Sequence, residues 1–146
     1  MLQRGLVAMC VLACAGLVFA DKGDTAQAHE HEQIVQRFVA AFNAHDVDAM
    51  LELVSDDIQW LSINGKEVGE EAAGKAQLRS GMTGYFASCS SCQSRLEKVF
   101  STGASVSALE IASYETSDGV QEQQSLSVYE FSGQLISRVY YFPAEQ

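Results

Sequence analysis

Hydrophobic positions along the chain change period several times, and each change marks an element. Over residues 32–44, Ile34, Phe38 and Phe42 recur every fourth position with Val35 and Val39 beside them, the spacing of an amphipathic helix with one buried stripe. Asn43-Ala44-His45 reads as a turn, and Asp46 stands where an N-cap belongs. Val47, Met50, Leu51 and Val54 then follow at helical spacing in a short second helix that Ser55-Asp56-Asp57 ends. Residues 58–63 alternate as a strand, with Ile58, Trp60 and Ser62 on one side and Gln59, Leu61 and Ile63 on the other. Asn64-Gly65 is a hairpin signal, so a short strand through Val68 is expected to pair back. Residues 70–87 read as a third helix, acidic at its start and interrupted by Gly74, Gly81 and Gly84. Strand-like runs over 94–101, 105–116, 120–131 and 134–142 follow, separated by Gly-containing turns. Three helices before a long antiparallel meander predict an α+β fold with one curved sheet closing over one helix.

The first twenty residues follow a different logic. Arg4 supplies a positive start, residues 5–20 are apolar, and Val18-Phe19-Ala20 ends in small residues suited to cleavage before Asp21, which together read as an export signal and a periplasmic or secreted protein. The alternatives are an uncleaved anchor and a lipid anchor at Cys14 within Val11-Leu12-Ala13-Cys14. Residues 21–31 read as a flexible lead-in, with "HEHE" at 29–32 exposed and solvated, and residues 32–146 as one domain. Removing Arg4 with the signal leaves eight Lys and Arg against nineteen Asp and Glu, a balance of −11. Such a surface repels phosphate backbones and anionic lipids, so no nucleic-acid partner is expected, and no membrane partner once the signal is removed.

Cleavage also removes Cys10 and Cys14, leaving Cys89 and Cys92 as "CSSC". In an oxidising compartment a close pair reads as a local structural disulfide. A thioredoxin-type site places the first cysteine at a helix N-terminus, whereas this pair follows a helical stretch. A haem attachment needs His where Gln93 stands, and zinc needs two further ligands that no neighbouring residue supplies. No cofactor or metal site is expected.

The stretch "IVQRFVAAFNAHDVDAMLELVSDDIQW", residues 34–60, resembles the opening of the nuclear transport factor 2-like superfamily, which includes SnoaL-like polyketide cyclases and ketosteroid isomerases. The ending "SVYEFSGQLISRVYYF", residues 127–142, resembles its last two strands. The resemblance implies a cone-shaped α+β barrel with a cavity between the long helix and the concave sheet face, and homodimers through the sheet's outer face. The isomerase branch works with a tyrosine donor, an aspartate base and a protonated aspartate. The matching positions here are Phe38, Ser62 and Ser127, none of which does that work, because phenylalanine has no hydroxyl and an unassisted serine is too weak a base. Asp56 and Asp57 precede the strand and read as helix-stop and loop residues.

With the family register, Phe38, Trp60, Ser62, Ser127, Tyr129, Arg138, Tyr140 and Phe142 are expected to face the cavity. That set suits a flat or apolar ligand carrying an anionic or carbonyl group held by Arg138; in the competing arrangement the aromatics fill the cone and Arg138 pairs with Glu130 on the neighbouring strand. His45 is expected at the surface of the interhelical turn. Ser62 and Ser127 lack visible His and Asp partners for a hydrolase triad, and no phosphate loop or dinucleotide fingerprint is present. The expected function is therefore an exported, non-catalytic pocket protein or dimeric interaction module. The alternatives are an isomerase, cyclase or hydratase working through Tyr129, Tyr140 or Arg138, and thiol redox chemistry at Cys89 and Cys92. An inward ionisable residue in a perturbed environment supports the enzyme, and a cavity filled by side chains supports the module.

Overall fold

The computed structural model describes residues 22–143, so the expected export segment, Cys10 and Cys14 lie outside the described residues. The first helix, α1 (Lys22–Asn43), buries Ile34, Val35, Phe38 and Val39 as the spacing predicts. It begins well before residue 32, so residues 22–31 are helical rather than a loose lead-in. Ala26, Gln27, Ala28 and Glu30 are good helix formers, and this early part of the helix is tied down by tertiary contacts. The Glu30 carboxylate accepts from the Gln134 amide at 3.0 Å, and the Glu32 carboxylate accepts from the Ser101 hydroxyl. His31 is buried rather than solvated. Its ring stacks on Phe131 with centroids 3.8 Å apart, and its Nε2 meets the Gly133 carbonyl at 3.0 Å.

His45 closes α1 in the left-handed region, at φ 54°. The Asp46 N–H bonds the Ala41 carbonyl and the His45 N–H bonds the Phe42 carbonyl, the paired pattern that terminates helices at a left-handed residue. The half-buried His45 ring stacks on Phe86 at 4.3 Å and reaches the Cys92 carbonyl at 3.1 Å, so it is a packing residue and not a surface one. Asp46 caps α2 (Val47–Glu52), its carboxylate accepting from the Ala49 N–H at 3.0 Å.

Strand β1 (Val54–Asn64) turns at Gly65 into β2 (Glu67–Ala73), and α3 (Lys75–Ser88) follows. The third helix therefore starts later than expected. Pairing of Gln59 with Ala73 and Trp60 with Ala72 holds the segment extended, and Gly74, at φ 81°, makes the break. The meander is as expected: β3 (Gln93–Ser101), β4 (Ser105–Thr116), β5 (Gly119–Ser132) and β6 (Leu135–Phe142). The sheet order is β2-β1-β6-β5-β4-β3, antiparallel throughout except for the parallel β1–β6 pair.

Bulges interrupt the register in β1–β2, β3–β4 and β5–β6, and the sheet curves around α1. The core lies on the concave side, where Phe38, Met50, Ile58, Val106, Ile136 and Val139 are buried. Cys89 and Cys92 are joined as a disulfide at the exit from α3, Cα atoms 5.5 Å apart. Beside it the Asn43 side chain donates to the Ser94 carbonyl and accepts from the Ser94 N–H, each at 2.7 Å, fixing the entry to β3 against α1.

Candidate functional site

Between α1, α3 and the concave face lies a cavity of about 320 Å³ that side chains do not fill. Of the residues expected to face it, Phe38, Trp60, Ser127 and Tyr129 do. Phe38 packs between Trp60 and Tyr129, with ring centroids 6.1 and 6.3 Å away, and so forms a wall shared by helix and sheet.

Arg138, Tyr140 and Phe142 do not line it, because the parity of β6 is reversed from the expected one. Counted back from the Gly133 turn without interruption, Ser127 would oppose Tyr140 and Tyr129 would oppose Arg138. A bulge between Glu130 and Phe131 shifts the pairing by one residue, so that Ser127 opposes Tyr141 and Tyr129 opposes Val139. One residue of slip moves a whole strand's side chains to the other face. Tyr141 accordingly lines the cavity. Arg138 lies on the outer face, donating to Gln59 Oε1 at 2.7 and 2.9 Å and to Glu130 at 3.1 Å, and its guanidinium also meets the Tyr140 hydroxyl at 3.3 Å. The pairing with Glu130 weighed from sequence is the one present. Ser62 shares β1 parity with Trp60 but sits beyond the cavity lining.

The floor carries a group outside the expected cavity set. Glu110, on β4, projects into the cavity and is 8% exposed. Its Oε1 accepts from the Tyr129 hydroxyl at 2.5 Å and its Oε2 from the Ser94 hydroxyl at 3.0 Å. Glu110 thus adds a carboxylate to a cavity set that, as expected from sequence, held none. Its residue number was recoverable: the Ser117-Asp118 turn pairs Thr116 with Gly119, and the unbroken register then sets Ala108 opposite Ser127 and Glu110 opposite Ser125. Once Ser127 faces inward, Glu110 does too. Leu109 and Ile111 on either side disguise this, since they suggest that the apolar residues of this run point inward.

Burial, and then the neighbouring Glu110 charge, raises the Tyr129 phenol well above its ordinary range, outweighing the Ser127 hydroxyl that favours the phenolate. Tyr129 is therefore a fixed donor at neutral pH. At the mouth, Glu71 is the extra residue where β2 bulges against Trp60 and Leu61, and it lines the cavity beside Ala72, Met82 and Tyr85. Tyr85 also donates to Cys92 Sγ at 3.3 Å, linking the rim to the disulfide. Among the described residues, no group of three or more His, Cys, Asp or Glu is placed to hold a metal ion.

The SnoaL-like domain family model matches residues 35–139. No curated protein matches the sequence significantly. Among solved structures, an uncharacterized cystatin-fold protein from Novosphingobium aromaticivorans is 25% identical with a TM-score of 0.65, over 76% of this chain and 96% of its own. A protein described as a ketosteroid isomerase from Kribbella flavida gives a TM-score of 0.69 at 15% identity, over 82% of each chain. A nuclear transport factor 2-like protein of unknown function from Cytophaga hutchinsonii gives 0.61 at 18% identity, over 81% of this chain and 99% of its own. The cone-shaped α+β fold is thus shared across chains whose described activities differ.

Proposed function

The chain belongs to the SnoaL-like domain family, and from that premise we propose that it binds a small, largely apolar molecule of aromatic dimensions, with Glu110 as the fixed polar anchor at the floor of its cavity. One observation carries the reading: the hollow is open, its walls are mainly apolar and aromatic, and a buried carboxylate held by Tyr129 and Ser94 stands in it. A few placed polar groups in an otherwise apolar pocket are what orient a small ligand.

A second reading, an acid–base enzyme, is favoured by the same carboxylate. Glu110 would take the proton, with Tyr129, whose hydroxyl proton is donated to that carboxylate, holding the base in position in place of the groups that Phe38, Ser62 and Ser127 do not provide. Two substitutions separate the readings. Ala112 lines the cavity and faces inward from β4, so Ala112→Phe should plug it and abolish binding of the neutral fluorescent probe 2-naphthol while leaving the circular dichroism spectrum unchanged. Equal binding by both proteins would remove the pocket reading. Deuterium exchange of cyclic ketones in D2O tests the enzyme: Glu110→Gln should slow it by about 10²- to 10⁴-fold, whereas exchange at the buffer rate in the unaltered protein would dismiss catalysis of this kind.

Two further parts of the proposal concern setting. Leu109 opposes Leu126, Leu126 opposes Phe142 and Val128 opposes Tyr140 on the outer sheet face, an apolar strip suited to pairing two copies. Sedimentation should find a dimer that Leu126→Glu converts to monomer; an unaltered dimer in that variant would contradict this surface. The export pattern of the first twenty residues supports a periplasmic or secreted location. A secreted chain beginning at Asp21 is the expected product, and retention of Met1 in the cytosolic fraction would refute it.

A further inference from the structure

The charge of the cavity is one-sided. Glu110 and Glu71 line it, and among the described residues no lining side chain is Lys, Arg or His. Arg138, which would have balanced them, is committed to Gln59 and Glu130 on the other face. Among the described residues no ion pair includes Glu110. A carboxylate has about four acceptor sites, and the Tyr129 and Ser94 hydroxyls occupy one on each oxygen, leaving the others for the cavity. Hydroxyl dipoles satisfy hydrogen bonds but bring no counter-charge, and a buried charge without a partner is costly.

Two independent features point the same way. Ser125 lies directly opposite Glu110 on β5, is 4% exposed, lines the cavity, and its hydroxyl has no protein partner. The walls are built from six aromatic rings, those of Phe38, Phe42, Trp60, Tyr85, Tyr129 and Tyr141. Ring faces carry negative potential and attract cations.

Resting on the pocket reading above, we infer that the ligand is a small protonated primary or secondary amine with an apolar or aromatic body, its ammonium donating to Glu110 and Ser125 and its body lying against the aromatic walls. An anion is repelled by both carboxylates. A neutral alcohol can occupy the same space but leaves the Glu110 charge uncompensated. The net charge, −10 for the whole chain and −11 once the first twenty residues are removed, draws cations toward the protein.

The test compares phenethylamine, 2-phenylethanol and hydrocinnamate by NMR titration of the purified protein at pH 7. The amine should bind at least about tenfold tighter than the alcohol, the worth of one charge-assisted hydrogen bond, and hydrocinnamate should not bind. Glu110→Gln should bring the amine-to-alcohol ratio close to one, Ser125→Val should lower amine affinity alone, and Glu71→Gln should preserve most of the preference. The ratio in the unaltered protein needs no variant and decides the matter even where Glu110→Gln does not fold. Equal affinity for amine and alcohol, or a preference unchanged in Glu110→Gln, overturns the amine assignment and leaves the pocket standing. If none of the three binds, the amine assignment falls, and the 2-naphthol comparison separately decides the pocket reading.

Discussion

Phe38→Ala is expected to lower the free energy of unfolding by about 3 kcal/mol, measured as a shift in urea midpoint at constant slope. Phe38 is 2% exposed and packs between the Trp60 and Tyr129 rings. Truncation removes the contacts that join α1 to the concave sheet face. The expected cost lies at the lower end of the range for buried aromatics because one side of the ring already borders open space. A loss below about 1 kcal/mol would mean that the helix-to-sheet wall does not depend on this ring.

The second large effect is alkaline. Tyr129 has its folded-state phenol raised well above 10.0, first by burial and then by Glu110. In the unfolded chain that phenol ionises near 10, so above this pH the folded state binds the extra proton. Its contribution to stability is full below pH 10 and falls by up to about 1.4 kcal/mol per pH unit as pH rises toward the folded value. Tyr85, raised by burial and then by Tyr141, adds to the same slope. Tyr129→Phe should flatten the decline, leaving the part due to Tyr85, and ultraviolet titration should find one tyrosine fewer whose ionisation coincides with unfolding. An identical slope in the variant would show that the Tyr129 hydroxyl does not remain protonated in the folded protein.

Much of this fold was legible from periodicity. The α1 stripe, the Asp46 cap, the Asn64-Gly65 turn and all four meander strands were readable because local pattern and tertiary need agree at those positions. The early part of α1 and the stretch Glu70 to Ala73 depart from the local pattern for opposite reasons. Docking of Glu30, His31 and Glu32 converts a polar lead-in into helix, and pairing along β1 converts helix-forming residues into strand. The site divided along the same line. Phe38 on the α1 stripe and Trp60, Ser127 and Tyr129 on the sheet line the cavity as the family resemblance implies, whereas Arg138, Tyr140 and Phe142 are displaced by a bulge that no residue in the sequence announces. Glu110 was available to anyone counting across the Ser117-Asp118 turn, but its apolar neighbours argued for the wrong face.

The most direct measurement is a crystal structure of the protein soaked with phenethylamine. Density in the cavity with the amine nitrogen about 2.7–3.2 Å from a Glu110 carboxylate oxygen is the predicted result. Density confined to the outer face near Arg138, with the cavity filled only by solvent, would contradict the account.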